Sequence, residues 1–401
     1  MKKVYIVSAK RTAIGSFLGT LKQVSAADMA AACIKAILEE TKIDPSLLDE
    51  IVLGNILPAG QGQGVARQAA LKAGVAVSVP AYGMNMVCGS GMKTVMSAVA
   101  DIRAGVADMI LAGGTESMSQ APHLLPKDTR NGIKMGAFEV ADHMLKDALL
   151  DAFEGTHMGI TAENIVAKFG FTRQMQDEFA IASQHKAIAA VDGGKFKDEI
   201  VPVEAKVGRD VVVFDTDEYP NRKTTLEKLG TLRPAFKKDG SVTAGNSSGI
   251  NDGASVMLIA SEDAVKKYGL NPMAEVIAFG QGGVEPSIMG LGPTPAIAMA
   301  LKRANLKLSD IDLFELNEAF AAQSLGVIKE ISEEHGVTQE EILSKCNVNG
   351  GAIALGHPVG ASGNRILTTL VHEMKKGEYT YGLASLCIGG GMGTAIIVKK
   401  V

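Results

Sequence analysis

Residues 43–55 read IDPSLLDEIVLGN, and residues 305–317 read NLKLSDIDLFELN. Each segment contains a turn, an acidic step, a short apolar run typical of a buried strand, and a final asparagine, Asn55 or Asn317. The order of the surrounding elements also matches between the two halves of the chain, which predicts an internal duplication. Short apolar runs alternate with helical periodicity in both halves, so we predict an α/β fold.

Six apolar runs predict strands, and amphipathic stretches predict helices. The predicted strands are 4–7, 50–55, 107–112, 273–279, 311–316 and 382–387, and the predicted helices are 28–40, 92–102 and 295–304. Residues 119–250 are richer in charge and lack a comparable run of buried strands, so we interpret them as an inserted, mostly helical region with its clearest helix at 178–190. The predicted division is 1–118 and 251–270 for the first half, 119–250 for the insertion, and 271–401 for the second half.

The bulk composition excludes several classes of protein. The chain has 401 residues and a net charge of −4, without a basic run, which argues against a nucleic-acid partner. Four widely spaced cysteines (Cys33, Cys88, Cys346 and Cys387) are too few for a disulfide framework and indicate a reducing compartment. The first apolar run is too short for a signal peptide, and no run is long enough to span a bilayer. We therefore expect a cytoplasmic protein without a membrane partner.

Cys88 lies in NMVCGSGM (85–92), on a glycine-flanked turn that precedes a predicted helix. The unpaired N–H groups and the dipole at a helix start favour a thiolate, which would make Cys88 a nucleophile. Gly89 and Gly91 would let a substrate carbonyl approach the backbone. The alternative is a small buried residue in a tight connection, and this segment taken alone favours that alternative.

His357 is surrounded by small residues in NVNGGAIALGHPVGASG (347–363), a loop that lets backbone and ligand come close. A histidine here could deprotonate a thiol and later donate to an oxyanion. A glycine-rich packing loop that contains a hydrogen-bonded histidine is the alternative.

Two further positions lie where predicted strands end. Cys387, in SLCIGGGMG (385–393), enters a triple-glycine turn whose N–H groups suit a developing anion, and it could act as an acid or base. The alternative is a buried cysteine at a strand end. Asn317, in ELNEAFAAQ (315–323), could hold a water or an oxyanion, although an N-cap is the favoured interpretation of this residue alone.

The spacing of these residues argues against two other kinds of site. Cys88, His357 and Cys387 form no CxxC or HxxxH pattern, so a metal site is not expected. GQGQGVA (60–66) lacks the third glycine of GxGxxG, which argues against a dinucleotide-binding fold.

Six stretches, in order along the chain, resemble thiolases: NMVCGSG, HMGITAEN, VTAGNSSGINDGA, NEAFAAQ, NGGAIALGHPVGASG and CIGGGMGTA. The similarity runs from VSAKRTAIGSF near the N-terminus to the last strand, and it is greatest to the biosynthetic subgroup that forms acetoacetyl-CoA. The resemblance implies two duplicated five-stranded mixed-sheet α/β halves with an inserted, mostly helical loop domain.

The resemblance also implies roles for individual residues. The family's nucleophile falls on Cys88, its histidine on His357, its second cysteine on Cys387 and its asparagine on Asn317, and the N–H of Gly389 joins that of Cys88 in an oxyanion site. Contacts to coenzyme A are implied for Leu149, His157, Met158, Phe236, Ala244, Ser248, Met289, Ala319 and Phe320. Where relatives have an arginine near the adenine, this chain has Asn221 with Arg222 beside it, so Arg222 is the candidate contact.

The implied activity is a ping-pong Claisen condensation of two acetyl-CoA molecules to acetoacetyl-CoA and CoA, and its reverse. The implied partners are these CoA thioesters, with no cofactor beyond them, in a homotetramer of two tight dimers. Residues 120–145, with Met135, Phe138 and Met144 expected at the surface, would supply the second subunit contact.

Three alternative functions remain to be weighed. A degradative 3-ketoacyl-CoA thiolase would accept longer chains, and His157-Met158 and Met289 argue against it. A non-catalytic acyl-CoA or lipid carrier should have lost one of Cys88, His357 and Cys387. A decarboxylating condensing enzyme usually pairs its cysteine with two histidines.

Overall fold

The computed structural model describes residues 2–401. The strands are β1 (Val4–Thr12), β2 (Gly15–Ser16), β3 (Glu50–Gly54), β4 (Ala81–Met84), β5 (Met109–Ser117), β6 (His123–Leu124), β7 (Ala141–Asp142), β8 (Ile200–Val201), β9 (Val203–Val207), β10 (Asp210–Phe214), β11 (Asn251–Ser261), β12 (Ala274–Gly283), β13 (Leu313–Leu316), β14 (Tyr381–Ile388) and β15 (Met392–Lys400). The α-helices are α1 (Ala26–Thr41), α2 (Val65–Lys72), α3 (Ser90–Ala104), α4 (Met158–Phe169), α5 (Arg173–Asp192), α6 (Leu226–Thr231), α7 (Glu262–Tyr268), α8 (Pro293–Ala304), α9 (Ala321–His335), α10 (Gln339–Lys345), α11 (Ala352–Leu355) and α12 (Val359–Lys376).

Every strand and helix predicted from the sequence forms in its predicted place. Strands β1, β5 and β12 extend several residues beyond their predicted ends, and the helices extend by one to a few residues. No helix within residues 2–401 is both long enough and apolar enough to cross a membrane.

The large sheet shows the predicted duplication. Its first half has the order β1-β11-β5-β3-β4, and its second half has the order β12-β15-β14-β13. In both halves the second strand is antiparallel to its neighbours, and the third and fourth strands are parallel to each other. A parallel bridge between Phe314 and Cys346 occupies the place of a fifth strand in the second half. The two halves join edge to edge because β1 pairs with β12 at Tyr5 and Ile6.

The strand register makes Glu116 the counterpart of Cys387. Strand β3, which ends just before Asn55, runs parallel to β5, which carries Glu116. Strand β13, which ends just before Asn317, runs parallel to β14, which carries Cys387. In both halves the residue two positions beyond the last parallel pair is the one compared, Glu116 on β5 and Cys387 on β14. Each also lies opposite a glycine of the antiparallel neighbour, Gly253 for Glu116 and Gly393 for Cys387.

Glu116 uses its side chain to connect the two halves. Its carboxylate accepts hydrogen bonds from Asn55 Nδ2 (2.8 Å), from the N–H groups of Ile56 (3.0 Å) and Leu57 (3.1 Å), and from Gly360 N (3.0 Å). Gly360 belongs to the first turn of α12 in the second half. Because the side chain is buried and both of its oxygens accept hydrogen bonds, we interpret Glu116 as a structural residue that links the two halves.

Helices α3 and α12 form the central layer between the two halves of the sheet. Their apolar residues pack in one core with inward side chains from strands of both halves. Helices α1 and α2 cover the outer face of the first half, and α8, α9 and α10 cover the outer face of the second half. The result is a layered α/β arrangement in which the two central helices contact each other.

Glycines allow these central helices to cross with their backbones in contact. A Cβ atom added at Gly363 of α12 would lie 2.6 Å from the Met92 nitrogen of α3, and one added at Gly91 would lie 2.8 Å from the Gly360 oxygen. Gly114 of β5 would bring a Cβ even closer to that same oxygen. Since backbone atoms cannot rotate away as a side chain can, these positions require glycine.

The inserted region leaves the sheet after β5 and returns at β11. It contains α4, α5 and α6, and short strand pairs and irregular segments make up the rest. Arg11 of β1 holds it in place, since its guanidinium lies 2.6 Å from Glu199 and 2.7 and 2.9 Å from the two oxygens of Asp217, all buried. The ends of β5 and β11 agree with the predicted limits at 118 and 250, while the division into domains stays a prediction.

Two of the three apolar side chains that we predicted to be exposed in residues 120–145 are exposed, and one is buried. Met135 is 96% exposed and Phe138 is 51% exposed, whereas Met144 is buried. The prediction of an exposed Met144 is wrong because its side chain packs with Ile56, Leu57 and neighbouring apolar residues.

We predict that Gly363→Ala destabilises the protein by about 1–3 kcal/mol or more, because the new methyl group overlaps the α3 backbone. Denaturant unfolding monitored by circular dichroism measures this change. Gly230→Ala is the matched control, because Gly230 lies in α6 with no heavy atom near its added Cβ. Alanine is expected to be neutral or to stabilise α6 by up to about 1 kcal/mol. Equal stabilities of the two variants would contradict the proposed close crossing.

Candidate active site

A cavity of about 470 Å³ lies where the two halves meet the inserted region. This volume falls within the usual range for small-molecule sites. Cys88, His357 and Cys387 all line it, although they come from separate parts of the chain. It is also lined by Leu149, His157, Met158, Phe236, Ala244, Ser248, Met289, Ala319 and Phe320, the residues for which contacts to coenzyme A were predicted.

The turn that carries Cys88 is strained and held by local hydrogen bonds. Val87 has a φ of 46°, in the left-handed region that a β-branched residue rarely adopts. Its N–H donates to Asn85 Oδ1 (3.0 Å), and its carbonyl accepts from Ser90 Oγ (2.7 Å). Strain of this kind persists where the surrounding structure fixes a functional side chain, and here it fixes Cys88 at the cavity.

The Cys88 thiol is neutral in the resting site. Burial raises its pKa to about 11, although the N–H groups of Gly389 and of Cys88 itself point toward the sulfur and lower it. The nearby N–H groups favour the thiolate, as the sequence indicated, but burial outweighs them. Cys88 needs a base before it can attack.

Gly89 and Gly91 have a packing role that the sequence did not indicate. A Cβ at Gly89 would collide with the Ile388 side chain of β14, and a Cβ at Gly91 would meet the Gly360 backbone. Both contacts cross from the first half of the chain to the second. These glycines therefore bring the Cys88 turn against the half that carries His357, and their small size is explained without a substrate.

His357 is fixed at two points before α12 begins. Its N–H donates to Asn251 Oδ1 (2.9 Å), and its Nδ1 lies 2.6 Å from Ser362 Oγ. Gly356, just before it, has a φ of 105° that favours glycine. Burial, and then the charge of Arg365, lower the pKa of His357 to about 4. The imidazole is therefore neutral near pH 7 and is able to accept a proton.

Cys387 ends β14 and is buried at the cavity wall. Burial raises the pKa of its thiol, and a negative charge on Cys88 would raise it further. The chain then turns through Gly390 and Gly391, with φ values of 87° and 86°. Cys387 thus lines the same cavity as Cys88, and its thiol is protonated at rest.

Asn317 is buried, and neither atom of its side-chain amide has a hydrogen-bond partner within the protein. It does not line the cavity directly. Helix α9 begins at Ala321 with Phe320 at the cap position, so the N-cap interpretation of Asn317 is wrong. A buried amide without protein partners calls for an ordered water, which agrees with the predicted water-holding role.

An aromatic wall borders the cavity. The His157 and Phe236 rings stack with centroids 4.6 Å apart, and Phe236 meets Phe320 edge to face at 6.0 Å. Gly159 is required below this stack, because an added Cβ would overlap the Phe236 ring. The wall suits a long, largely apolar ligand arm.

Arg222 lies apart from this cavity. Its guanidinium pairs with Asp192 at 2.9 and 2.5 Å, and both side chains are exposed. Its contact with the nucleotide end of a ligand stays a prediction.

Several residues that line the cavity were missed from the sequence, among them Phe17, Tyr219 and Ser247. Ser247 precedes the predicted contact Ser248, and Tyr219 lies two residues before Asn221, so both could have been included on that ground. Phe17 ends VSAKRTAIGSF, the first stretch similar to thiolases, and could have been included on that ground. Among the described residues, no group of three or more His, Cys, Asp or Glu side chains is placed to hold a metal ion.

Comparison with known proteins agrees with the geometry. Residues 4–263 match the family model for the thiolase N-terminal domain, and residues 270–400 match that for the thiolase C-terminal domain. An acetyl-CoA acetyltransferase from Escherichia coli is 52% identical over 401 residues, with 100% of both chains covered.

Two solved structures share the fold over almost their whole length. The Bacillus anthracis acetyl-CoA acetyltransferase has a TM-score of 0.95 and 41% identity, covering 100% of this chain and 99% of that one. Human mitochondrial 3-ketoacyl-CoA thiolase has a TM-score of 0.94 and 42% identity with the same coverage. The duplicated halves and inserted region are therefore those of a known fold, and the chain is an enzyme of the thiolase family.

Proposed function

We propose that this enzyme is an acetyl-CoA C-acetyltransferase, which condenses two acetyl-CoA molecules to acetoacetyl-CoA and CoA and catalyses the reverse thiolysis. The observation that carries the proposal is the meeting of two neutral thiols, Cys88 and Cys387, with one neutral imidazole, His357, in a single cavity. The full-length similarity to proteins named acetyl-CoA acetyltransferase supports the acetyl substrate.

The first half-reaction transfers an acetyl group to Cys88. His357 takes the thiol proton as the sulfur attacks the thioester carbon, because a separated thiolate is disfavoured at this buried position. The N–H groups of Cys88 and Gly389 hold the oxyanion, and one such donor typically contributes roughly 3 kcal/mol. Collapse of the tetrahedral intermediate breaks the carbon–sulfur bond to CoA, and the departing CoA sulfur takes the proton of Cys387.

The second half-reaction forms the carbon–carbon bond. A second acetyl-CoA places its thioester oxygen near protonated His357 and a water held by Asn317. Cys387, now a thiolate, removes an α-proton, and the resulting carbanion attacks acetyl-Cys88. Acetoacetyl-CoA leaves, and Cys88 recovers its proton from His357. Every group thus returns to its starting protonation state, so the cycle requires no cofactor beyond the CoA substrates.

The long arm of coenzyme A would lie along the aromatic wall. His157, Phe236 and Phe320 supply its apolar contacts, and Ser248 lies beside Ala319, to whose carbonyl its N–H donates at 2.9 Å. Arg222 would meet the nucleotide end after releasing Asp192. These contacts, together with the similarity to acetyl-CoA acetyltransferases, support acetyl-CoA, acetoacetyl-CoA and CoA as the partners.

We further infer a homotetramer in the cytoplasm. Strand β4 lies at the edge of the large sheet, where a second copy can add a strand. Met135, Phe138 and their exposed apolar neighbours in 120–145 offer a separate surface for a second contact.

A degradative 3-ketoacyl-CoA thiolase of broader chain length is the second candidate. The close fold match to human mitochondrial 3-ketoacyl-CoA thiolase favours it. Met289 argues against it, because this buried side chain packs with Cys387 and Phe320 at the acyl end of the cavity.

We predict that intact-mass measurement after acetyl-CoA addition finds one acetyl group on the wild-type enzyme, on Cys88, and none on Cys88→Ser. The serine hydroxyl is a far weaker acid than the thiol and stays unreacted. An acetyl group mapped by peptide analysis to another residue of the wild type would overturn the mechanism.

Cys387→Ala is expected to lower the condensation rate by about 10²–10⁴, the usual contribution of a general acid–base group, while Cys88 still becomes acetylated, more slowly because the departing CoA sulfur loses its proton donor. Rapid-mixing measurement of CoA release and acetoacetyl-CoA formation separates the two steps. Cys33→Ala is the matched control, since Cys33 is equally buried but belongs to the inner face of α1, away from the cavity. Condensation at the wild-type rate would remove Cys387 from its role.

Met289→Ala is expected to raise kcat/KM for 3-ketohexanoyl-CoA relative to acetoacetyl-CoA by at least about tenfold, because it opens the acyl end of the cavity. Thiolysis rates measured with both substrates test this, and Met299→Ala on the exposed side of α8 is the control. A wild-type preference for 3-ketohexadecanoyl-CoA over acetoacetyl-CoA would instead establish the degradative function.

A further inference from the structure

Ser362 contacts the imidazole ring of His357 at Nδ1. Its Oγ lies 2.6 Å from His357 Nδ1 and 3.0 Å from the Pro358 carbonyl oxygen. Both side chains are buried, and Ser362 occupies the first turn of α12. Solvent therefore does not compete for either hydrogen bond.

The contacts of Ser362 allow one consistent set of hydrogen bonds. The Pro358 carbonyl oxygen can only accept, and the Ser362 hydroxyl lies within donating distance of it. When that hydroxyl donates to Pro358, Ser362 Oγ accepts from Nδ1 of His357, and Nδ1 carries the ring proton. A neutral imidazole has one N–H, so Nε2 is left with its lone pair exposed to the cavity.

We propose that Ser362 is a positioning residue that fixes the Nδ1–H tautomer of His357, so that Nε2 alone exchanges the proton of Cys88. This inference rests on the proposed function, in which His357 is the base for acetyl transfer. The opposite tautomer would present an N–H to the Cys88 thiol and could not accept its proton.

The proton count through the cycle agrees with this role. When the S–H bond of Cys88 breaks, the proton forms a new bond to Nε2, and the sulfur bonds to the acetyl carbon. The imidazolium then donates from Nδ1 to Ser362 and from Nε2 to the oxygen of the second thioester. When acetoacetyl-CoA leaves, Nε2 returns its proton to Cys88, while the Nδ1–H bond to Ser362 persists throughout.

Ser362→Ala is suited to the test because the helix start keeps its other bonds. The Pro358 carbonyl still accepts from the N–H groups of Ala361 and residue 362, both at 2.9 Å. Ser362→Thr restores a hydroxyl at the same position. Thr94→Val is the matched control, because Thr94 is a buried hydroxyl in α3 whose partners are backbone carbonyls, Gly91 O at 2.9 Å and Gly113 O of β5 at 3.0 Å, and it contacts no catalytic group.

Two measurements on the intact enzyme test the proposal. The first is ¹⁵N NMR of histidine-labelled protein, with the His357 signals identified by their loss in His357→Asn. We expect a protonated Nδ1 and an unprotonated Nε2 in the wild type and in Ser362→Thr, and a shift toward Nε2–H in Ser362→Ala. The second is the single-turnover rate of Cys88 acetylation.

Acetylation is expected to slow by about tenfold or more in Ser362→Ala, up to the roughly 10²–10⁴ that a general base contributes. Ser362→Thr should recover most of the rate, Thr94→Val should retain it, and the KM for acetyl-CoA should change little. A wild-type Nε2–H tautomer, or an unchanged spectrum or rate in Ser362→Ala, would overturn the proposal. Failure of the proposed function is distinguishable, because the wild type itself would then form no acetyl-Cys88, whichever tautomer the spectrum showed.

Discussion

The contact between the backbones of α3 and α12 is the constraint on which the site depends. Gly91 and Gly363 let the two helices approach until main-chain atoms touch. Cys88 and His357 each lie two residues before one of these helices, so a close crossing brings both to one cavity. A larger residue at the crossing would separate the base from the nucleophile as well as loosen the core. Packing and chemistry therefore depend on the same atoms.

The duplication explains why the two halves contribute different groups. Equivalent positions hold Cys88 and His357 before the central helices, and Glu116 and Cys387 on the strands beside them. In the first half, Asn55 Nδ2 donates to Glu116, and both carboxylate oxygens of Glu116 are used in structural hydrogen bonds. In the second half, the corresponding amide of Asn317 has no protein partner, and Cys387 faces the cavity. Asn55 and Glu116 thus support the fold, whereas Asn317 and Cys387 are available for the proposed reaction.

Much of this arrangement could be predicted from the sequence because the signals are local. The apolar run before Asn55, the helix after Cys88 and the glycines around His357 each indicate an element without knowledge of its neighbours. The pKa of Cys88 could not be predicted, since it depends on burial by segments distant in sequence. Arg222 pairs with Asp192 of another helix, and Met144 packs on Leu57, for the same reason. The contact of Ser362 with His357 spans one helical turn, yet the sequence alone does not show which way either side chain points.

The raised pKa values of both active-site thiols have a consequence for the durability of the enzyme. Peroxides and alkylating agents react with thiolates far faster than with thiols. Between turnovers Cys88 and Cys387 are protonated, so both sulfurs are poor targets for oxidation. In the proposed cycle, Cys387 becomes a thiolate only after CoA has taken its proton, when Cys88 is already capped by an acetyl group. We therefore expect the two thiols of the resting enzyme to react slowly with peroxides and alkylating agents.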